Sequence, residues 1–173
     1  MVLIIRHGEK PPDEDKSPDL SEKGMQRAKA LPGLFASSTD RPHPFPRPDF
    51  IFATHNSEKS HRPMETVKHL AKKLKLTIND TYRNKAEDPV KGKGMVELSQ
   101  EIFGNKKYQV KTVLVCWHHG CIPEVAKLLG ATDSERKFNG KVFDRVWQIT
   151  YDKKGKTTFA DLPQRLLPDD SKK

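Results

Sequence analysis

The chain has 173 residues, of which 34% are hydrophobic and 32% charged, and its formal charge is +9. This is one domain's length, with enough chain for a real core, and no apolar run approaches the roughly 20 residues that span a bilayer. The positive balance suits an anionic partner, but no long basic run interleaved with aromatics points to nucleic acid. Cys116 and Cys121 make no disulfide framework. The opening Met-Val-Leu-Ile-Ile lacks the basic leader of a signal peptide. A cytoplasmic protein is expected, with no membrane contact.

Residues 2–5, Val-Leu-Ile-Ile, stop abruptly at Arg6, His7, Gly8 and Glu9. A short apolar run ending in charge reads as a buried strand emerging at a sheet edge. Arg6 and His7 then sit at its carboxyl end, where open α/β sheets bind ligands. Residues 10–19 carry three prolines and four acids and read as a loop. Ser21 is a fitting N-cap, with Leu20 and Met25 at staple spacing. Met25, Ala28, Leu31 and Phe35 recur on one helical face, and Pro32 and Gly33 disturb the last turn.

Residues 37–48 hold four prolines and read as an extended connector. Residues 49–54 read as a second buried strand. The following helix has Pro63 in its first turn and Met64, Val67, Leu70 or Ala71, and Leu74 on one face. Arg62 falls near the start of that helix, where backbone amides and the helix dipole favour an anion. Residues 76–78 suggest a short strand. Residues 79–94 form a long, basic loop around Glu87 and Asp88, followed by a helix through Met95, Leu98 and Ile102 that ends at Gly104 and Asn105.

Residues 110–117 read as a strong strand ending in His118, His119 and Gly120. A helix follows at once, with Pro123 in its first turn, a face of Ile122, Val125, Ala126 and Leu129, and Gly130 at its end. Residues 144–151 and 157–162 suggest a closing hairpin. The alternation predicts an α/β fold: three layers, with a mostly parallel central sheet, helices on both faces and a C-terminal antiparallel hairpin. Residues 1–165 are expected to form a single domain and 166–173 a loose tail.

Arg6 with His7, Arg62, and His118 all fall at strand ends, and in a parallel sheet these share one edge. Two guanidiniums and two imidazoles in one crevice suit phosphoryl transfer. A neutral imidazole is a competent nucleophile, and guanidiniums clamp phosphoryl oxygens in pairs. The transition state asks mainly for position and charge stabilisation. The segment from Cys116 to Cys121 lacks the spacing of a metal knuckle, Cys116 reads as a small core residue, and no metal or cofactor is expected.

Four stretches together resemble the histidine phosphatase superfamily, the phosphoglycerate-mutase-like proteins. They are L-I-I-R-H-G-E at the start, L-S-E-K-G-M-Q-R-A at 20–28, P-D-F-I-F-A-T followed by R-P-M-E-T at 62–66, and V-L-V-C-W-H-H-G at 113–120. The resemblance implies that His7 is phosphorylated in a covalent intermediate, that Arg6 and Arg62 bind the phosphoryl group, and that His118 is the second pocket histidine. Gly8, Glu9, Lys10 and His119 are the further substrate-binding candidates. His119 takes a place that is often glycine in the family. Two departures stand out: the segment before Arg62 is about four residues longer than usual, and Pro11, Pro12 and Asp13 stand where the mutases carry an asparagine. For the general acid Glu87 is chosen, then Asp88, with Glu9 as a local alternative; Glu87 and Asp88 also read as surface charges balancing nearby lysines.

The resulting expectation is a histidine-type phosphatase acting on a phosphorylated small molecule or phosphoprotein, phosphohistidine included. The short chain leaves little to cover a mutase pocket against water. A phosphoglycerate-mutase-type phosphotransferase and a noncatalytic phospholigand-binding module remain the alternatives.

Overall fold

A computed structural model describes residues 1–84, 94–131 and 137–171. In chain order they form β1 (Val2–Arg6), α1 (Glu22–Ala30), β2 (Phe50–Ala53), α2 (Arg62–Leu74), β3 (Ile78–Asn79), α3 (Met95–Gly104), β4 (Val113–Trp117), α4 (Ile122–Leu128), β5 (Arg145–Tyr151) and β6 (Thr157–Pro163). The strands make one six-stranded sheet in the order β3-β2-β4-β1-β5-β6. The pairs β3–β2, β2–β4 and β4–β1 are parallel, and β5 joins β1 and β6 antiparallel.

Side-chain alternation splits the core into two layers. Val2, Ile4, Phe52, Val113, Val115 and Trp117 pack with Leu98 and Ile102 of α3 and Ile122, Val125 and Ala126 of α4. Leu3, Ile5, Ile51, Ala53, Leu114 and Cys116 point the other way, against Leu31, Leu34, Val67, Leu70 and Ala71. Strands buried on both faces need continuous apolar sequence rather than alternation, which is how β1 and β4 read. The expected three-layer α/β architecture with its terminal hairpin is therefore what forms.

The topology places the site. The chain leaves β1 through α1 on one face and leaves β4 through α4 on the other, so the neighbouring carboxyl ends of β1 and β4 open a crevice. The register is tight there: Arg6 lies opposite Trp117, and the His7 amide donates to the Trp117 carbonyl at 3.2 Å.

Local differences have local causes. β4 starts at Val113 rather than at residue 110, because a 3₁₀ turn at Lys106–Tyr108 precedes it and Val110 has φ +59°, outside the extended region. The expected face of α1 also shifts. Its buried residues are Gly24, Arg27 and Ala28, with Met25 only half-buried. The expectation of a loose tail is corrected over residues 166–171. Asp170 accepts from the amides of Leu166 and Leu167 at 2.7 and 3.1 Å, and it bonds to the guanidinium of Arg27. The segment is held because a buried arginine on α1 requires a carboxylate partner.

Leu114 is fully buried where β4 meets both β1 and β2. Leu114→Ala is expected to lower the free energy of unfolding by about 2–5 kcal/mol, read by urea titration.

Candidate active site

The site grows from the end of β1. His7 is buried, and its Nδ1 lies 2.7 Å from the Gly8 carbonyl oxygen. A carbonyl only accepts, so Nδ1 carries the proton and Nε2 keeps its lone pair. The Gly8 amide donates to Thr66 Oγ1 at 2.8 Å, and that hydroxyl donates to the Arg62 carbonyl at 2.7 Å. The first turn of α2 is thereby tied to the end of β1. Gly8 has no room for a side chain, since a Cβ would stand 2.9 Å from the Gly24 carbonyl oxygen and 3.1 Å from Leu20 Cδ2.

His118, directly after β4, brings its ring to 5.2 Å from that of His7, edge to face at 67°. Arg62 is the first residue of α2, and it donates through Nη1 to Ser17 O and through Nη2 to Lys59 O, both at 3.2 Å. Arg6 donates through Nη1 to Gly140 O at 2.6 Å and Val142 O at 3.1 Å, and its Cζ lies 3.6 Å from the centre of the Phe143 ring. The Nε atoms of Arg6 and Arg62 are buried, and neither has a hydrogen-bond partner among the described residues. Buried donors are normally satisfied, so two orphaned guanidinium N–H groups beside a free imidazole nitrogen suit an oxyanion.

The electrostatics agree. Burial, opposed by the Gly8 hydrogen bond and reinforced by His118, Arg6 and Arg62, pushes the His7 imidazole down to about 3. Burial, then Arg62, His119 and Arg6, push His118 down to about 4. Both rings are neutral at pH 7. Burial lowers Arg6 to about 10 and lowers Arg62 too, and both stay charged. The set favours an incoming anion and disfavours a further proton.

All but two of the residues singled out from the sequence lie among the described residues. Arg6, His7, Gly8, Arg62 and His118 come together. His119 packs its ring on Gly140, where a Cβ would stand 3.0 Å from Nε2, and burial followed by Arg6 and Lys10 lowers its pKa. Lys10 is half-exposed and paired with Asp13. Glu9 is engaged by Arg27 instead, and both its carboxylate oxygens bind that guanidinium at 2.6 to 3.1 Å. It therefore leaves the set of substrate contacts and acid candidates. Glu87 and Asp88 lie outside the described residues. Cys116 is fully buried, burial pushes its thiol up, and among the described residues no group of three or more His, Cys, Asp or Glu is placed to hold a metal ion.

Two contributors escaped the sequence reading. Phe143 stacks on Arg6 and lies 6.1 Å from the His7 ring; it stands alone in a loop and carries no periodic signal. Arg27 did leave a signal, a charge on the Gly24–Ala28–Leu31 face of an amphipathic helix.

Neither a family model nor a curated protein matches the sequence. Solved structures do resemble it. The protein histidine phosphatase SixA complexed with tungstate aligns with a TM-score of 0.60 at 15% identity, over 94% of this chain and 96% of that one. A putative α-ribazole-5′-phosphate phosphatase from Escherichia coli gives 0.58 at 16% identity, over 96% and 97%. A mutant phosphoserine phosphatase from Entamoeba histolytica in complex with phosphoserine gives 0.55 at 14% identity, over 96% and 98%. At such identities the likeness is one of fold alone, and this chain shares that fold with solved structures described as phosphatases.

Proposed function

We propose that this chain is a phosphomonoester hydrolase working through a covalent phosphohistidine on His7. The observation that carries the reading is the 2.7 Å contact from His7 Nδ1 to the Gly8 carbonyl, which leaves Nε2 unprotonated beside His118 and two guanidiniums whose Nε–H groups have no partner among the described residues. Structural neighbours described as phosphatases support it.

In the first step Nε2 attacks phosphorus, the N–P bond forms and the bond to the leaving oxygen breaks. Arg6 and Arg62 bind the equatorial oxygens as charge redistributes. His118, neutral at pH 7, donates a hydrogen bond to one of them. The leaving oxygen takes a proton from a carboxylic acid, assigned to Glu87 with Asp88 as its alternative. In the second step water attacks phosphorus, gives its proton to that carboxylate, and the N–P bond breaks to release inorganic phosphate and neutral His7. The substrate class is a phosphorylated small molecule or a phosphoprotein. A cytoplasmic location belongs to the same reading; among the described residues no helix is long and apolar enough to cross a membrane.

The test is turnover of p-nitrophenyl phosphate together with acid-quench trapping of labelled phosphoenzyme. His7→Ala is expected to abolish both. Arg62→Ala is expected to raise KM and to lower kcat by about 10²–10³-fold, as for loss of one preorganised charge-stabilising donor. Phosphate binding that survives His7→Ala, with no turnover by either protein, overturns the reading in favour of a noncatalytic binder.

The pH profile is a second test. A lowered imidazole pKa preserves the neutral nucleophile as acid is added, and that form is lost only as pH falls through about 3. The acid limb of kcat/KM is expected to lie well below the value of about 6.5 for an ordinary histidine. A limb near that value would place His7 in a solvated setting instead.

A further inference from the structure

The C-terminal segment lies behind the candidate site and reaches both halves of it. One arm runs through Asp170. Its carboxylate accepts from Arg27 Nη1 at 2.9 Å and Nη2 at 2.7 Å, and from two amides of its own segment. Arg27, whose side chain is 3% exposed, grips both oxygens of Glu9 with Nε and Nη2 and also reaches Gln164 Oε1 at 3.3 Å. The Glu9 main chain is pinned as well. Its carbonyl accepts from the Ser21 amide at 3.0 Å and hydroxyl at 3.1 Å, and a Cβ on Gly24 would stand 2.3 Å from it.

That grip bears on His7 through one rigid unit. The Gly8 carbonyl and the Glu9 nitrogen belong to the same planar peptide. Turning Glu9 would turn the carbonyl that holds His7 Nδ1 at 2.7 Å. The other arm runs through Asp144, which is buried. Its carboxylate accepts from the Ser171 amide, and its carbonyl accepts from the Gln164 amide at 2.7 Å. The preceding residue, Phe143, is the ring on which Arg6 stacks.

We propose that Asp170 is a positioning residue: through Arg27 and Glu9 it orients the Gly8 carbonyl and hence His7, while the Ser171 amide, through Asp144 and Phe143, orients Arg6. Residues 164–171 thus form a strap that sets nucleophile and phosphoryl clamp relative to each other. The kinetic consequence rests on the phosphatase reading; the effect on His7 itself does not. Arg27 is the hub because a planar fork can bind two carboxylates at once, with Nε and Nη2 on one and Nη1 and Nη2 on the other. Its charge is secured accordingly: burial opposes it, and the hydrogen bonds it donates to Asp170 and Glu9 raise its pKa overall.

The experiment compares wild type, Asp170→Asn, Asp170→Glu and Lys23→Ala in the full chain. It uses p-nitrophenyl phosphate kinetics, thermal melts, and long-range proton–nitrogen spectra of the His7 ring. Asp170→Asn is expected to lower kcat by about 10- to 100-fold with KM changed by less than about twofold, the cost of a misplaced nucleophile. The His7 spectrum is expected to lose its single Nδ1–H tautomer, and Asp170→Glu to regain part of both. Lys23→Ala removes the surface pair with Asp169 and should leave kcat within about twofold, because exposed pairs contribute little. An Asp170→Asn protein that is folded at the assay temperature and keeps the wild-type kcat and His7 tautomer overturns the proposal. Should that variant not fold, Ser171→Pro decides the strap: it deletes the amide donor to Asp144, and it is expected to raise KM severalfold, whereas a wild-type KM refutes the strap. If wild type itself shows no turnover, the phosphatase reading fails, and the His7 tautomer in Asp170→Asn still decides the positioning claim.

Discussion

A buried imidazole with two nitrogens has two tautomers, and the hydrogen bond from His7 Nδ1 to the Gly8 carbonyl selects one of them. Much of the unusual packing at the carboxyl edge of the sheet serves that bond. Gly8 and Gly24 allow α1 to lie directly on the turn after β1, closer than any residue with a Cβ would permit. Thr66 relays the Gly8 amide to the first turn of α2, which brings Arg62 to the same place. Relaxing any of these contacts would let the ring rotate and would lose the orientation of Nε2.

The second constraint is charge. Arg6, Arg62, His7 and His118 crowd into a partly dehydrated crevice, where burial lowers the proton affinity of all four and the charge of Arg62 lowers that of Arg6 and both imidazoles further. The imidazoles respond by staying neutral, while the guanidiniums cannot deprotonate near pH 7. An oxyanion would relieve that repulsion, and on the proposed reading the crevice is preorganised for one. Nearby carboxylates temper the field while bound to other partners: Glu9, held by Arg27, raises Arg6, and Glu65 and Asp19, engaged by the Leu20 amide and His61, raise Arg62. The Arg27 hub is the mirror case, a buried cation satisfied from two sides by acids far apart in sequence.

Much of this was legible in the residues. The apolar runs of β1 and β4 end at Arg6 and His118 because a strand passing through a two-sided core must be apolar until it reaches solvent. Ser21, Pro63 and Pro123 mark helix starts through the backbone chemistry of first turns. Residues 166–171 misled because they are anchored by hydrogen bonds to Arg27 and Asp144, more than 25 positions away, and a short polar segment carries no periodicity to announce them. Glu9 misled for a related reason: a charge beside Arg6 and His7 reads the same whether it faces the crevice or an arginine behind it.

The sequence by itself determined the order and type of the elements, the apolar faces that build two core layers, and the set of cations and imidazoles at strand ends. Those are properties of local spacing, and spacing is written in the chain. Only the tertiary structure decided which of these groups meet, that the His7 and His118 rings stand 5.2 Å apart, that Phe143 lies on Arg6, and that Asp170 closes on Arg27. Such pairings depend on where separate elements dock and on which buried charge finds a partner, and no local pattern encodes that choice.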